Sequence, residues 1–164
     1  MSVVIRKIRT ALQREYQRPG GIRIEEAIDQ ARHNLTGLAE QCLDRIDLAI
    51  AVLTEMTADP GRRPTPAELR TIHQLINEML GCCATVDIEG LPDSLYAVGR
   101  LVGALMAADV WLEGSLTPAV SLVRLVRRNA VPPEDLRTLI AGIDQCAARI
   151  SAHTECTRDP RNQA

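Results

Sequence analysis

From Ile24 to Met56 the chain carries Ile24, Ile28, Ala31, Leu35, Leu38, Cys42, Ile46, Ala49, Leu53 and Met56 at intervals of mostly four and three residues. Apolar residues at that spacing fall on one side of a helix but on both faces of a strand, so the run reads as one amphipathic helix. At 1.5 Å per residue it would extend about 50 Å, the dimension of a long bundle helix rather than of an element in a compact α/β domain.

The rest of the chain must be compatible with such a helix. Proline and glycine punctuate it at Pro19-Gly20-Gly21, Asp59-Pro60-Gly61, Glu89-Gly90-Leu91-Pro92, Gly114 to Pro118 and Pro132-Pro133, which leaves six segments of helical character. The first, residues 3–17, sets Val4, Ile8, Ala11 and Leu12 against Arg6, Arg9 and Arg14 and reads as a loosely attached arm. Thr65-Pro66-Ala67-Glu68 combines a capping hydroxyl, proline at the first helical position and a glutamate three residues on, and so predicts a helix start. The helix that follows presents Leu69, Ile72, Ile76, Met79, Cys83 and Val86.

The next helix, starting near Pro92-Asp93, presents Leu95, Val98, Val102, Leu105 and Leu112, with Gly99, Gly103 and Ala107 as a line of small residues open to a close neighbour. A further helix begins at Thr117-Pro118, and a last one at Pro132-Pro133-Glu134-Asp135 carries Leu136, Leu139, Ile140, Ile143, Ala147 and Ile150. Aromatic residues are only 2% of the chain, so aliphatic and small side chains must fill the core, as suits helices more than a sheet. The expected fold is all-α: an elongated antiparallel bundle of five or six helices, one domain over 1–156, with a frayed tail at 157–164.

Charge and composition narrow the function. Nineteen basic and 21 acidic residues give a net charge of -2, too balanced for phosphate-backbone binding, so nucleic acid is not an expected partner. No apolar run approaches the roughly 20 residues that cross a bilayer, and the opening Met-Ser-Val-Val-Ile-Arg-Lys-Ile-Arg is too short in apolar residues for an export signal. The expected location is the cytoplasm, without a membrane partner. Five cysteines, at 42, 82, 83, 146 and 156, are an odd number for a disulfide framework. Cys82 and Cys83 are adjacent rather than spaced as Cys-x-x-Cys, and Cys42, Cys83 and Cys146 sit on apolar stripes as small core residues, so neither a metal nor a bound cofactor is expected.

The chain has no glycine-rich nucleotide loop, nucleophile elbow or His-Glu-x-x-His pair. His33 stands out instead. It lies between Ala31 and Leu35, so on a helix its ring points away from the apolar stripe. An exposed imidazole offers a nucleophilic nitrogen near neutral pH, and Gly37, one turn later, leaves space beside it. His73, with Asn77 one turn on, is read as a half-buried polar contact.

His33-Asn34-Leu35-Thr36-Gly37 resembles the His-x-x-Lys-Gly stretch of histidine-containing phosphotransfer domains, with Thr36 in the place of the family lysine and Arg32 as the neighbouring cation. That resemblance implies a helical bundle in two-component or chemotaxis signalling. His33 would take a phosphoryl group from the aspartate of a response-regulator receiver, Mg²⁺ would be held by that partner, and Arg32, Thr36 and Gly37 would form the docking surface. The alternative is an interaction bundle without a phosphoacceptor, which forms a homodimer or binds another protein through the helix around Leu122 and Leu125. Arg124, Arg127 and Arg128 make a basic group there suited to an acidic partner surface. Asp109 is read as lying beyond the core rather than buried and paired with a cation, and Trp111 as either an interface aromatic or core material.

Overall fold

The computed structural model describes residues 23–108 and 111–158 of the chain, and among them it contains five α-helices. These are α1 (Ile24–Met56), α2 (Pro66–Cys82), α3 (Leu91–Ala108), α4 (Leu116–Arg127) and α5 (Pro133–Arg158). The protein is an all-α bundle. The expected arm at 3–17, Asp109 and the tail beyond Arg158 lie outside the described residues. No described helix is long and apolar enough to cross a membrane.

The helix starts follow local chemistry. Thr65 caps α2: its Oγ1 accepts the Glu68 N–H at 3.2 Å, while the Glu68 carboxylate accepts the Thr65 N–H at 2.8 Å, and Pro66 occupies the first turn. Arg62 adds an ion pair to the same carboxylate. Donation from the Thr65 backbone, and then the Arg62 bond, hold the Glu68 carboxyl below its ordinary range. Helix α4 starts at Leu116, one residue before the expected Thr117, and the Thr117 hydroxyl donates to the carbonyl of Thr57, just past the end of α1, at 2.8 Å.

At its other end α4 closes on Asn129, whose φ of 52° is left-handed. The Asn129 N–H donates to Val126 O at 2.9 Å and the Ala130 N–H to Leu125 O at 3.0 Å. This pair of bonds is the Schellman closure, with asparagine in the usual place of glycine.

The chain forms two units, residues 1–37 and 38–164. The core belongs to the second and draws on all five helices: Ile46, Ile50 and Leu53 of α1, Ile72, Ile76 and Met79 of α2, Leu116, Ala119, Val120 and Val123 of α4, and Leu136, Ala147 and Ile150 of α5 join the buried residues of α3 in one cluster. Helix α3 packs on α2, α4 and α5. It buries Leu91, Ser94, Leu95, Ala97, Val98, Leu101, Val102, Ala104 and Leu105, more than one side of a helix, which marks it as the central element.

The small-residue line is corrected by this packing. A Cβ built on Gly99 would contact Ile76 at 3.6 Å, but one on Gly103 would meet nothing, so close approach occurs at Gly99 alone of these two. Leu112 lies past the end of α3 and is exposed, and Leu139 faces outward on α5. Arg100 of α3 and Asp144 of α5 form a forked ion pair, with Nη2 2.6 and 2.8 Å from the two carboxylate oxygens.

Candidate functional site

In the first unit, every described residue from Arg23 to Gly37 is exposed. His33 therefore projects from α1 into solvent as its position between Ala31 and Leu35 predicts, and a Cβ on Gly37 would meet nothing within 4 Å. The expected cationic support is weaker than the motif implies. The Arg32 guanidinium is 3.7 Å from the Asp29 carboxylate, and the Thr36 hydroxyl donates to the Arg32 carbonyl at 3.0 Å. Glu25, Glu26 and Asp29 make this opening stretch acidic.

The apolar stripe on the other side of the same turns differs from expectation. Ile24 is 74% exposed, Ile28 46%, Leu35 49% and Leu38, the next residue of the stripe, 46%, and Ala31 is exposed as well. The 4-3 spacing correctly makes this a helix, but the second half of the stripe alone, from Ile46 onward, supplies fully buried core residues. An apolar row left in water on a regular helix is the kind of surface that binds another helix or protein.

The second unit holds the basic group. Arg124, Arg127 and Arg128 all line one groove of about 690 Å³ with Asp47, Ile50, Thr54 and Glu55 of α1. The Arg127 Nη2 donates to Asp47 Oδ2 at 2.8 Å, so one of the three charges is answered within the chain, while its Nε is buried without an acceptor among the described residues. Three arginines facing the two carboxylates of Asp47 and Glu55 leave the groove only mildly cationic.

Leu125 is 40% exposed on α4 and remains available to a partner. Leu122 is not: at 4% exposure it is part of the core, so the interface expected around both leucines is reduced to Leu125. The residues at His33 to Gly37 and those at Arg124 to Arg128 belong to different units.

Sequence reading missed a thiol pair. Cys82 of α2 lies beside the Cys42 thiol of α1. Burial, and then the neighbouring Cys42 thiol, push the Cys82 thiol up from its ordinary range, and burial pushes Cys83 up. A raised thiol is a poor nucleophile at neutral pH, so Cys82 acts as packing between the two helices. Beside it, Arg45, Leu48, Val52, Leu75, Glu78 and Cys82 line an apolar groove of about 190 Å³. The spacing of 40 residues between the two cysteines carries no local signal that could have revealed them.

His73 is half-buried, and the Asn77 amide donates to its Nδ1 at 3.1 Å, the polar contact expected. Trp111 packs against the core with its Nε1 buried and unpartnered among the described residues. No group of three or more metal-ligating side chains converges among the described residues. No family model matches the chain, and comparisons with curated proteins and with solved structures give no match.

Proposed function

We propose that this protein acts by binding, as a small signalling adaptor that docks a protein partner through the apolar face at the start of α1. The observation that carries this reading is the exposure of Ile24, Ile28, Ala31 and Leu35 in one row. Each large apolar side chain moved from water into an interface contributes about 1.5–3 kcal/mol when fully covered, so even part of this row is worth burying. The free thiols Cys42, Cys82, Cys83 and Cys146 fit a reducing cytoplasm.

A photoreactive amino acid at Ile28 in the full chain, irradiated in the cells that make it, tests this. The expected result is a discrete protein adduct that Leu35→Glu abolishes. Absence of any adduct would overturn the docking reading.

A second reading is favoured by the exposed ring of His33 beside the open space at Gly37. Here a His33 ring nitrogen attacks the phosphorus of a receiver aspartyl phosphate. The N–P bond forms as the P–O bond to aspartate breaks, and the carboxylate leaves on the partner that holds Mg²⁺. Incubation with phosphorylated receiver domains and Mg²⁺ should then place acid-labile phosphate on the chain, and His33→Gln should remove it. A full panel of receivers without labelling would refute this reading.

A further inference from the structure

The exposed row on α1 has a spacing that selects one class of occupant. Ile28 and Leu35 are seven residues apart, as are Ile24 and Ala31, and the two pairs interleave at intervals of four, three and four. These are the a and d positions of two successive heptads, the pattern with which one helix packs knobs into the holes of another.

Two copies can pair on it in parallel or antiparallel. In register and parallel, Ala31 faces Ala31 and leaves a gap between layers of isoleucine and leucine. Antiparallel, about a dyad between Asp29 and Gln30, the layers become Ile24 with Leu35 and Ile28 with Ala31, each present twice. Every small residue then meets a large one, as close packing requires.

Charge makes the same choice. Glu25 and Arg32 occupy the flanking e positions, and in an antiparallel pair the e row of one helix runs beside the e row of the other. Glu25 of each copy then meets Arg32 of the other, giving two symmetry-related ion pairs. On the opposite flank Ala27 meets Asn34 without a charge conflict. A parallel pair sets Arg32 beside Ala27 and gains neither ion pair. Arg32 can turn to the new partner because its contact with Asp29 is long, at 3.7 Å, and exposed.

We propose that the occupant of this face is a second copy of the chain, and that Ile24, Ile28, Ala31 and Leu35 form an antiparallel homodimer seam flanked by reciprocal Glu25–Arg32 ion pairs. The inference rests on the docking reading above and names its partner. The seam covers about 18 Å of helix, so the dimer is weak and concentration-dependent.

Sedimentation velocity on the full chain over a wide concentration range tests it. Wild type should pass from monomer to dimer, and Ile28→Glu should remain monomeric with an unchanged melting curve. Because each substitution acts twice in a symmetric dimer, Glu25→Arg and Arg32→Glu should each weaken association about tenfold, and the double exchange should recover most of the loss. Glu26→Arg makes the same charge change in the same helical turn but points away from the seam, and should leave the dimer unaltered.

A dimer indifferent to Ile28→Glu, or one in which Glu26→Arg matches Glu25→Arg, overturns the seam. A persistent monomer whose Ile28 photo-crosslinks a different protein overturns the homodimer and leaves the docking reading standing. A monomer without crosslinks overturns both.

Discussion

Gly90→Ala probes the packing of the central helix. Gly90 has a φ of +74°, its carbonyl accepts the first helical bond of α3 from the Ser94 N–H at 3.0 Å, and a Cβ built on it would stand 2.2 Å from Leu136 Cδ2. Two costs follow. Placing an L-residue in the left-handed region costs about 1–2 kcal/mol. The steric cost arises because carbon atoms pack at about 3.5–4.0 Å, so the buried Leu136 side chain of α5 must move, an overpacking penalty of about 1–3 kcal/mol. Alanine restricts the unfolded chain more than glycine and returns about 0.4–1 kcal/mol. The net loss is about 3 kcal/mol, a large share of the 5–15 kcal/mol typical of whole domains.

Urea unfolding followed by far-ultraviolet circular dichroism should show a lower midpoint at constant slope. A double-mutant cycle separates the two costs. Leu136→Ala alone should lose about 2–5 kcal/mol through the cavity it leaves, but in that background Gly90→Ala should cost only about 1 kcal/mol because the clash is gone. A loss below about 0.5 kcal/mol for Gly90→Ala in the wild-type background would refute both parts of the reasoning. An equal loss in both backgrounds would refute the steric part.

Other substitutions test further elements by the same unfolding measurement. Thr65→Ala removes the α2 cap and should cost about 1 kcal/mol. Asn129→Ala should cost about 1 kcal/mol, since alanine lacks the local hydrogen bonding that lets asparagine adopt the left-handed turn closing α4. Leu122→Glu should prevent folding by burying an unpaired carboxylate, whereas Leu125→Glu should fold with a melting temperature near wild type; equal behaviour would show that α4 is rotated from the orientation described. Glu68 has a depressed folded-state pKa, so its stabilising contribution is complete above its unfolded value and disappears as pH falls through the folded one. Glu68→Gln should therefore flatten the acid side of the stability profile, and a profile identical to wild type would contradict the assignment.

What could be read from the sequence follows from the range of the forces involved. Helix α1 was legible because its stripe is long, and the start of α2 because a capping box is completed within four residues. The identity of the central helix was not. The stripe Leu95, Val98, Val102, Leu105 describes one side of α3, and the burial of Ala97, Leu101 and Ala104 depends on three neighbouring helices that periodicity does not register. The same limit hid the Arg127–Asp47 ion pair, 80 residues apart, and the Cys42–Cys82 contact between α1 and α2. At the candidate site, local chemistry correctly turned His33 outward, but the residues used to define inward, Ala31 and Leu35, are themselves in water. Periodicity identifies the sides of a helix; what lies against each side is a tertiary fact.

That distinction bears on how the two functional readings combine. Successive residues turn by about 100° on a helix, so His33 stands on the side opposite Ile24, Ile28, Ala31 and Leu35. In the heptad that describes the seam it takes the outermost f position, with Gly37 nearby on the same side. Covering the apolar row with a second chain would therefore leave the imidazole in solvent, and the phosphoryl transfer of the second reading would be open to dimer and monomer alike. Because Ile28→Glu alters one side and His33→Gln the other, the two activities should fail independently. Labelling by phosphorylated receivers should survive Ile28→Glu, and self-association should survive His33→Gln. Loss of both from either substitution would mean that the helix over these turns presents its faces differently, and the assignment of an apolar side and a histidine side would fall together.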